Sequence, residues 1–114
     1  MPDARAAIDL LAERVRDSLA GSGRILEQRM FGGVGFLLDG HLLCHANRKG
    51  LMVRVGREQE RKALALPHAS PCRSGKRTMP GFIQVAPAGV NTARNLNAWL
   101  KRGRDYLGTL DRKA

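Results

Sequence analysis

The sequence predicts an α+β fold, a two-layer sandwich whose antiparallel β-meander carries its helices on one face in the order α-β-β-β-β-α-β-α. Three observations predict it. Apolar residues in the first 20 positions recur at helical spacing; a block of short alternating runs follows, punctuated by tight-turn residues; and a charged helical segment, one more alternating run and a last amphipathic stretch close the chain. Short connections favour neighbouring antiparallel strands, and a sheet with one apolar face needs a helical layer.

Each element has its own signal. Residues 4–20 place Ile8, Leu11, Val15 and Leu19 on one stripe. Asp3 is the candidate N-cap, and Gly21-Ser22-Gly23 stops the helix. Residues 25–31 are a weak strand that runs into Gly32-Gly33. Residues 34–38 and 41–46 flank Asp39-Gly40, the strongest hairpin signal, because both residues accept the positive φ of a type I′ turn. On the return strand Cys44 is expected to point inward with Leu42 and Ala46. Residues 47–50 turn again into Leu51-Met52-Val53-Arg54-Val55. Residues 57–66 form a short charged helix stopped by Pro67. Residues 67–81, with Pro67, Pro71, Gly75, Pro80 and Gly81, read as a long irregular loop. Residues 82–86 alternate as a final strand, and Asn91 or Thr92 caps a helix bearing Leu96, Trp99, Leu100 and Leu107. Residues 111–114 are expected to fray.

Composition narrows the function classes. The chain has 114 residues, one domain's worth, and residues 1–114 are treated as a single unit. No apolar run approaches the roughly 20 residues that span a bilayer. The N-terminus lacks signal-peptide order, and two cysteines cannot make a disulfide scaffold, so the expected location is cytoplasmic. Twenty bases against ten acids give a net charge of +10. Half the acids lie in the first 27 residues, and none falls between Glu60 and Asp105. That asymmetry points to polyanionic partners for the second half. The aromatic residues are not interleaved with bases as a stacking platform would require.

The run Arg29-Met30-Phe31-Gly32-Gly33-Val34-Gly35-Phe36, then Asp39-Gly40, then Leu51-Met52-Val53-Arg54-Val55, resembles the N-terminal domain of the TfoX/Sxy competence-regulator family. Residues 75–85 and the Trp99-Leu100 helix resemble the same domain. The resemblance implies the α+β fold and a bacterial, cytoplasmic, regulatory role. Longer members carry a second, C-terminal domain and work with a cyclic-AMP receptor protein in transcription. This chain is expected to be the N-terminal domain standing alone.

Gly32-Gly33 precedes a strand, whereas a phosphate-binding glycine loop opens a helix, so a tight turn is the simpler role. Arg29 and Arg54 would grip one anion if they shared a sheet face. His41 and His45 on a strand would share a face about 13 Å apart, too far to ligate one ion. Cys72 lies near Arg73, Lys76 and Arg77, cations that lower a thiol's pKa, and a Cys72–His68 nucleophile pair is the one enzymatic option; an ordinary loop cysteine is the favoured reading. Met30, Phe31, Phe36, Met79, Phe82 and Trp99 are assigned to the core.

These readings converge on a non-enzymatic regulatory or adaptor domain that contacts proteins or itself, without cofactor or metal. Arg73, Lys76, Arg77, Lys101, Arg102 and Arg104 are the candidates for non-specific DNA or an acidic partner. The acid-bearing first helix is a candidate for meeting a basic partner or another copy. The alternative is a small-molecule or anion binder, with Arg29, Gly32, Gly33 and Arg54 as its ligands and residues 67–81 as a second wall.

Overall fold

The computed structural model describes residues 4–110. The proposed Asp3 cap and the tail 111–114 lie outside them. Helix α1 (Ala4–Leu19) is followed by strands β1 (Ile25–Met30), β2 (Gly33–Leu38), β3 (His41–Asn47) and β4 (Gly50–Arg54), then helix α2 (Arg57–Leu64). Strands β5 (Ala69–Ser74) and β6 (Arg77–Val85), a 3₁₀ turn at Pro87–Gly89 and helix α3 (Ala93–Leu107) complete it. The six strands form one antiparallel sheet in the order β1-β2-β3-β4-β6-β5.

The α+β expectation holds, with one strand added. Residues 67–81 are not an irregular loop: they hold β5 and the start of β6, joined by a tight turn between Ser74 and Arg77. An edge strand bonds on one side only, so Pro71 costs it no ladder bond and no alternating apolar pattern is imposed. Pro80 sits where the register breaks between Pro71 and Arg73 and where β6 has run past β4, whose pairing begins at Phe82. Thr92 is the cap of α3, accepting from Asn95 N at 3.1 Å.

One face of the sheet makes the core. A row runs from Arg29 through Val34, Ala46, Leu51 and Val85 to Ala69, and the next through Phe36, Cys44, Val53 and Ile83. Onto it the helices lay Ile8, Val15 and Leu19 of α1, Ala63 of α2, and Leu96, Trp99, Leu100 and Leu107 of α3. No helix of the described residues is long and apolar enough to cross a membrane.

A bulge changes β3. Phe36 pairs with Cys44 but Leu37 pairs with Leu42, so Leu43 is the extra residue. Leu43, not Leu42, joins Cys44 and Ala46 in the core. The same bulge puts His41, opposite Leu38, and His45, opposite Gly35, on opposite faces. The expectation that they share a face is therefore corrected.

Candidate functional site

The first hairpin turns at Phe31-Gly32, with Met30 paired to Gly33. Both turn residues have positive φ, 49° and 73°, as a type I′ turn requires. Phe31, assigned to the core from sequence, is 91% exposed. A bulky side chain in left-handed backbone is costly, on the order of 1 kcal/mol, and here burial does not offset it. Position immediately before the paired glycines was the available signal, since hairpin tips face solvent.

The tip is anchored from below. His45 Nε2 lies 2.8 Å from the Met30 carbonyl, which can only accept, so Nε2 carries the proton and Nδ1 is left to face Asn47 Nδ2 at 3.4 Å. Asn47 and Gln84 exchange two 3.1 Å hydrogen bonds, extending the network to β6. The Phe31 and His45 rings meet edge-on with centroids 6.4 Å apart. Around Phe31 a shallow cleft of ≈ 610 Å³ is lined by Arg5, Ile8, Arg29, Met30 and Arg48. Arg29 is tied to Asp9 of α1 at 2.7 Å.

A second cleft, ≈ 1030 Å³, opens between the ends of β4, α2, β6 and α3. Its centre is Arg54, whose guanidinium stacks between Phe82 and Tyr106, 5.7 and 5.4 Å from their centroids. Arg57, Lys62 and Arg102 add positive charge, against Glu58 and Asp105. Nothing in the sequence singles out Tyr106, because the stack brings together residues more than 20 positions apart.

Arg29 and Arg54 do not meet. Arg29 belongs to the row that contains Leu51, and Arg54, three residues beyond Leu51, points to the opposite face. They also lie three strand spacings apart, about 14 Å. Nor can Gly32-Gly33 and residues 67–81 wall one pocket: β1 and β5 are the two edges of the sheet, about 24 Å apart.

The other basic candidates are dispersed. Ser74 pairs with Arg77 and Arg73 with Thr78, so Arg73 and Arg77 project to opposite sides of the last hairpin, with Lys76 in its turn. On α3, Lys101 reaches Asp105 at 2.8 Å, Arg102 stacks on Trp99 and Arg104 donates to Ser22.

Cys72 is not in a loop but buried in β5, its Sγ 3.9 Å from Met79 Sδ. Burial pushes its thiol pKa up, and Lys49 opposes this. That is the reverse of the lowering expected from its sequence neighbours. His68 packs against Gly89, about 13 Å along the strand, so no nucleophile–base pair forms. Cys44 is fully buried, and desolvation pushes its pKa up further. Among the described residues no group of three or more His, Cys, Asp or Glu is placed to hold a metal ion.

Comparison with known proteins agrees with the residues. The family model described as the TfoX N-terminal domain matches residues 17–106. No curated protein matches the chain. No solved structure matches it either. The matched segment runs from the end of α1, through the whole sheet and the Phe31-Gly32 turn, to Tyr106 at the Arg54 stack; the chain belongs to the TfoX N-terminal domain family.

Proposed function

We propose that the chain is a non-enzymatic regulatory adaptor of the bacterial cytoplasm, acting through protein–protein contacts in the control of transcription and competence. Phe31 carries the reading. A phenylalanine held in left-handed backbone, 91% exposed and sharing its cleft with Arg5, Arg29 and Arg48, strains the turn and gains within the fold only an edge contact with His45. Aromatic and arginine side chains together are the composition of interface hot spots. Auxiliary, non-specific association with nucleic acid belongs to the basic second half.

The test uses Phe31→Asn. Asparagine suits the turn, so the variant should fold at least as well as the wild type while losing the protein that co-purifies with the native chain. Recovery of every partner undiminished would overturn the reading.

A second reading has its own observation. The Arg54 guanidinium, flattened between two rings in a cationic cleft, suits a small anion. Inorganic phosphate should raise the melting temperature of the wild type but not of Arg54→Ala. A melting temperature indifferent to phosphate removes this reading.

A further inference from the structure

The two edges of the sheet are treated differently. On β5, Pro71 and the register break beside it obstruct pairing with another strand. Edge strand β1 has none of these devices: no proline, no lysine and no bulge in Ile25–Met30. Its four central residues are exposed, and Leu26, half-exposed at 52%, is among the few large apolar side chains left in solvent.

The backbone of β1 is set for a new strand. Arg24 O accepts from Asp39 N, and the Met30–Gly33 pair closes a two-residue hairpin. Residues 24, 26, 28 and 30 therefore bond to β2, and Ile25, Glu27 and Arg29 turn their N–H and C=O groups outward.

The side chains of Leu26-Glu27-Gln28-Arg29-Met30 read as a complement of themselves. We propose that β1 pairs antiparallel with β1 of a second copy about a two-fold axis at Gln28, joining two sheets into one. This register sets Glu27 opposite Arg29 of the second copy, in two reciprocally hydrogen-bonded pairs. It sets Leu26 opposite Met30 of the second copy, apolar against apolar, on the helix-free face. On the helix face the existing ion pairs join into a row of alternating sign: Asp9, Arg29, then Glu27 and Arg16 of the second copy. A one-residue shift in register would lose the charge match and split the apolar pair across faces. Each copy carries +10, so the contact needs salt to screen the longer-range repulsion.

This inference goes beyond the adaptor reading and does not depend on it. The experiment measures mass in solution at high micromolar concentration and about 0.15 M salt, where the Debye length is short. The wild type should show twice its 12.5 kDa. Glu27→Arg and Arg29→Glu should each be monomeric, since each sets like charges opposite one another. An equimolar mixture of the two should restore the double mass, because every cross-strand pair is then Arg against Glu. Glu27→Pro, which removes an outward N–H together with the Arg16 ion pair, should be monomeric while keeping a cooperative thermal melt. A monomeric wild type would overturn the proposal and leave the edge to a strand from a different protein. Charge variants that stay dimeric singly, or a mixture that stays monomeric, would overturn it as well. None of these outcomes bears on the Phe31 contact, which Phe31→Asn tests separately.

Discussion

Glu27 shows how far a surface residue can be read. Arg16 on α1 donates to both of its carboxylate oxygens. That hydrogen bonding holds the Glu27 carboxyl below the usual range, with further attraction from the Arg16 and Arg29 charges, while partial burial opposes them. The folded chain therefore holds this carboxylate charged at pH values where the unfolded chain takes up a proton. The contribution is present above the unfolded pKa of about 4.3 and is lost as pH falls through the lower folded value. Melting temperature followed from neutral to acid pH should fall less steeply for Glu27→Gln than for the wild type. Phe31 gives the opposite case, a residue that opposes folding. Replacing it with Asn, which tolerates left-handed backbone, should stabilise the domain by about 1 kcal/mol and raise the melting temperature by roughly 4 °C. Denaturant titration measures it, and a destabilised variant would mean the ring supports the fold through His45 after all. Phe31 and buried Phe36 are alike in type; the position of Phe31 beside the paired glycines is the one local difference, and the turn geometry decides its exposure.

At the scale of elements, α3 seats itself on the sheet through one glycine. A Cβ on Gly103 would lie 2.6 Å from Leu43 Cδ1, 3.2 Å from Val53 Cγ1 and 3.3 Å from the Arg54 carbonyl oxygen. Gly103→Ala gains about 1 kcal/mol of helix propensity but must push the helix off β3 and β4. Overpacking costs typically about 1–3 kcal/mol, so the net effect should be destabilising. Gly108→Ala, whose added carbon meets only ordinary contacts at 3.5 Å, should be near neutral. Thermal melts of the two variants side by side check the comparison. The elements were legible in unequal measure. Asp39-Gly40 forms the expected turn, with φ of 51° and 89°, because that turn's requirement is local. The strand β5 was not legible, since an exposed edge strand carrying Pro71 has no apolar period to display. The bulge at Leu43 was hidden for another reason: it is a matter of register between β2 and β3, and no residue type on β3 marks it.

Over the whole molecule, charge is uneven in sequence but scattered in space. Arg73 and Arg77 face opposite ways, and Lys101, Arg102 and Arg104 each have an intramolecular contact. Such an arrangement favours diffuse attraction over a shaped groove. Binding to random duplex DNA should accordingly be weak, insensitive to sequence and steeply salt-dependent, with a slope in log–log form near −0.9 per phosphate neutralised. Titration at two or three salt concentrations checks this, and the absence of binding at low salt would remove the nucleic-acid role.

The chain's own residues determined the α+β class, the order of helices and strands except β5, the Asp39-Gly40 turn as a site of positive φ, and the positive balance of the second half. All of these rest on local periodicity, turn chemistry or simple counts. The first turn falls one residue earlier than the paired glycines, at Phe31-Gly32, with Gly33 already in β2. Which side chains meet was decided only in three dimensions. The parity of residues along paired strands put Arg29 and Arg54 on opposite faces, the bulge at Leu43 parted His41 from His45, and the sheet order carried Gly32 and Cys72 to opposite ends. Face, register and strand order depend on contacts between residues far apart in the chain, and short-range pattern carries no record of them.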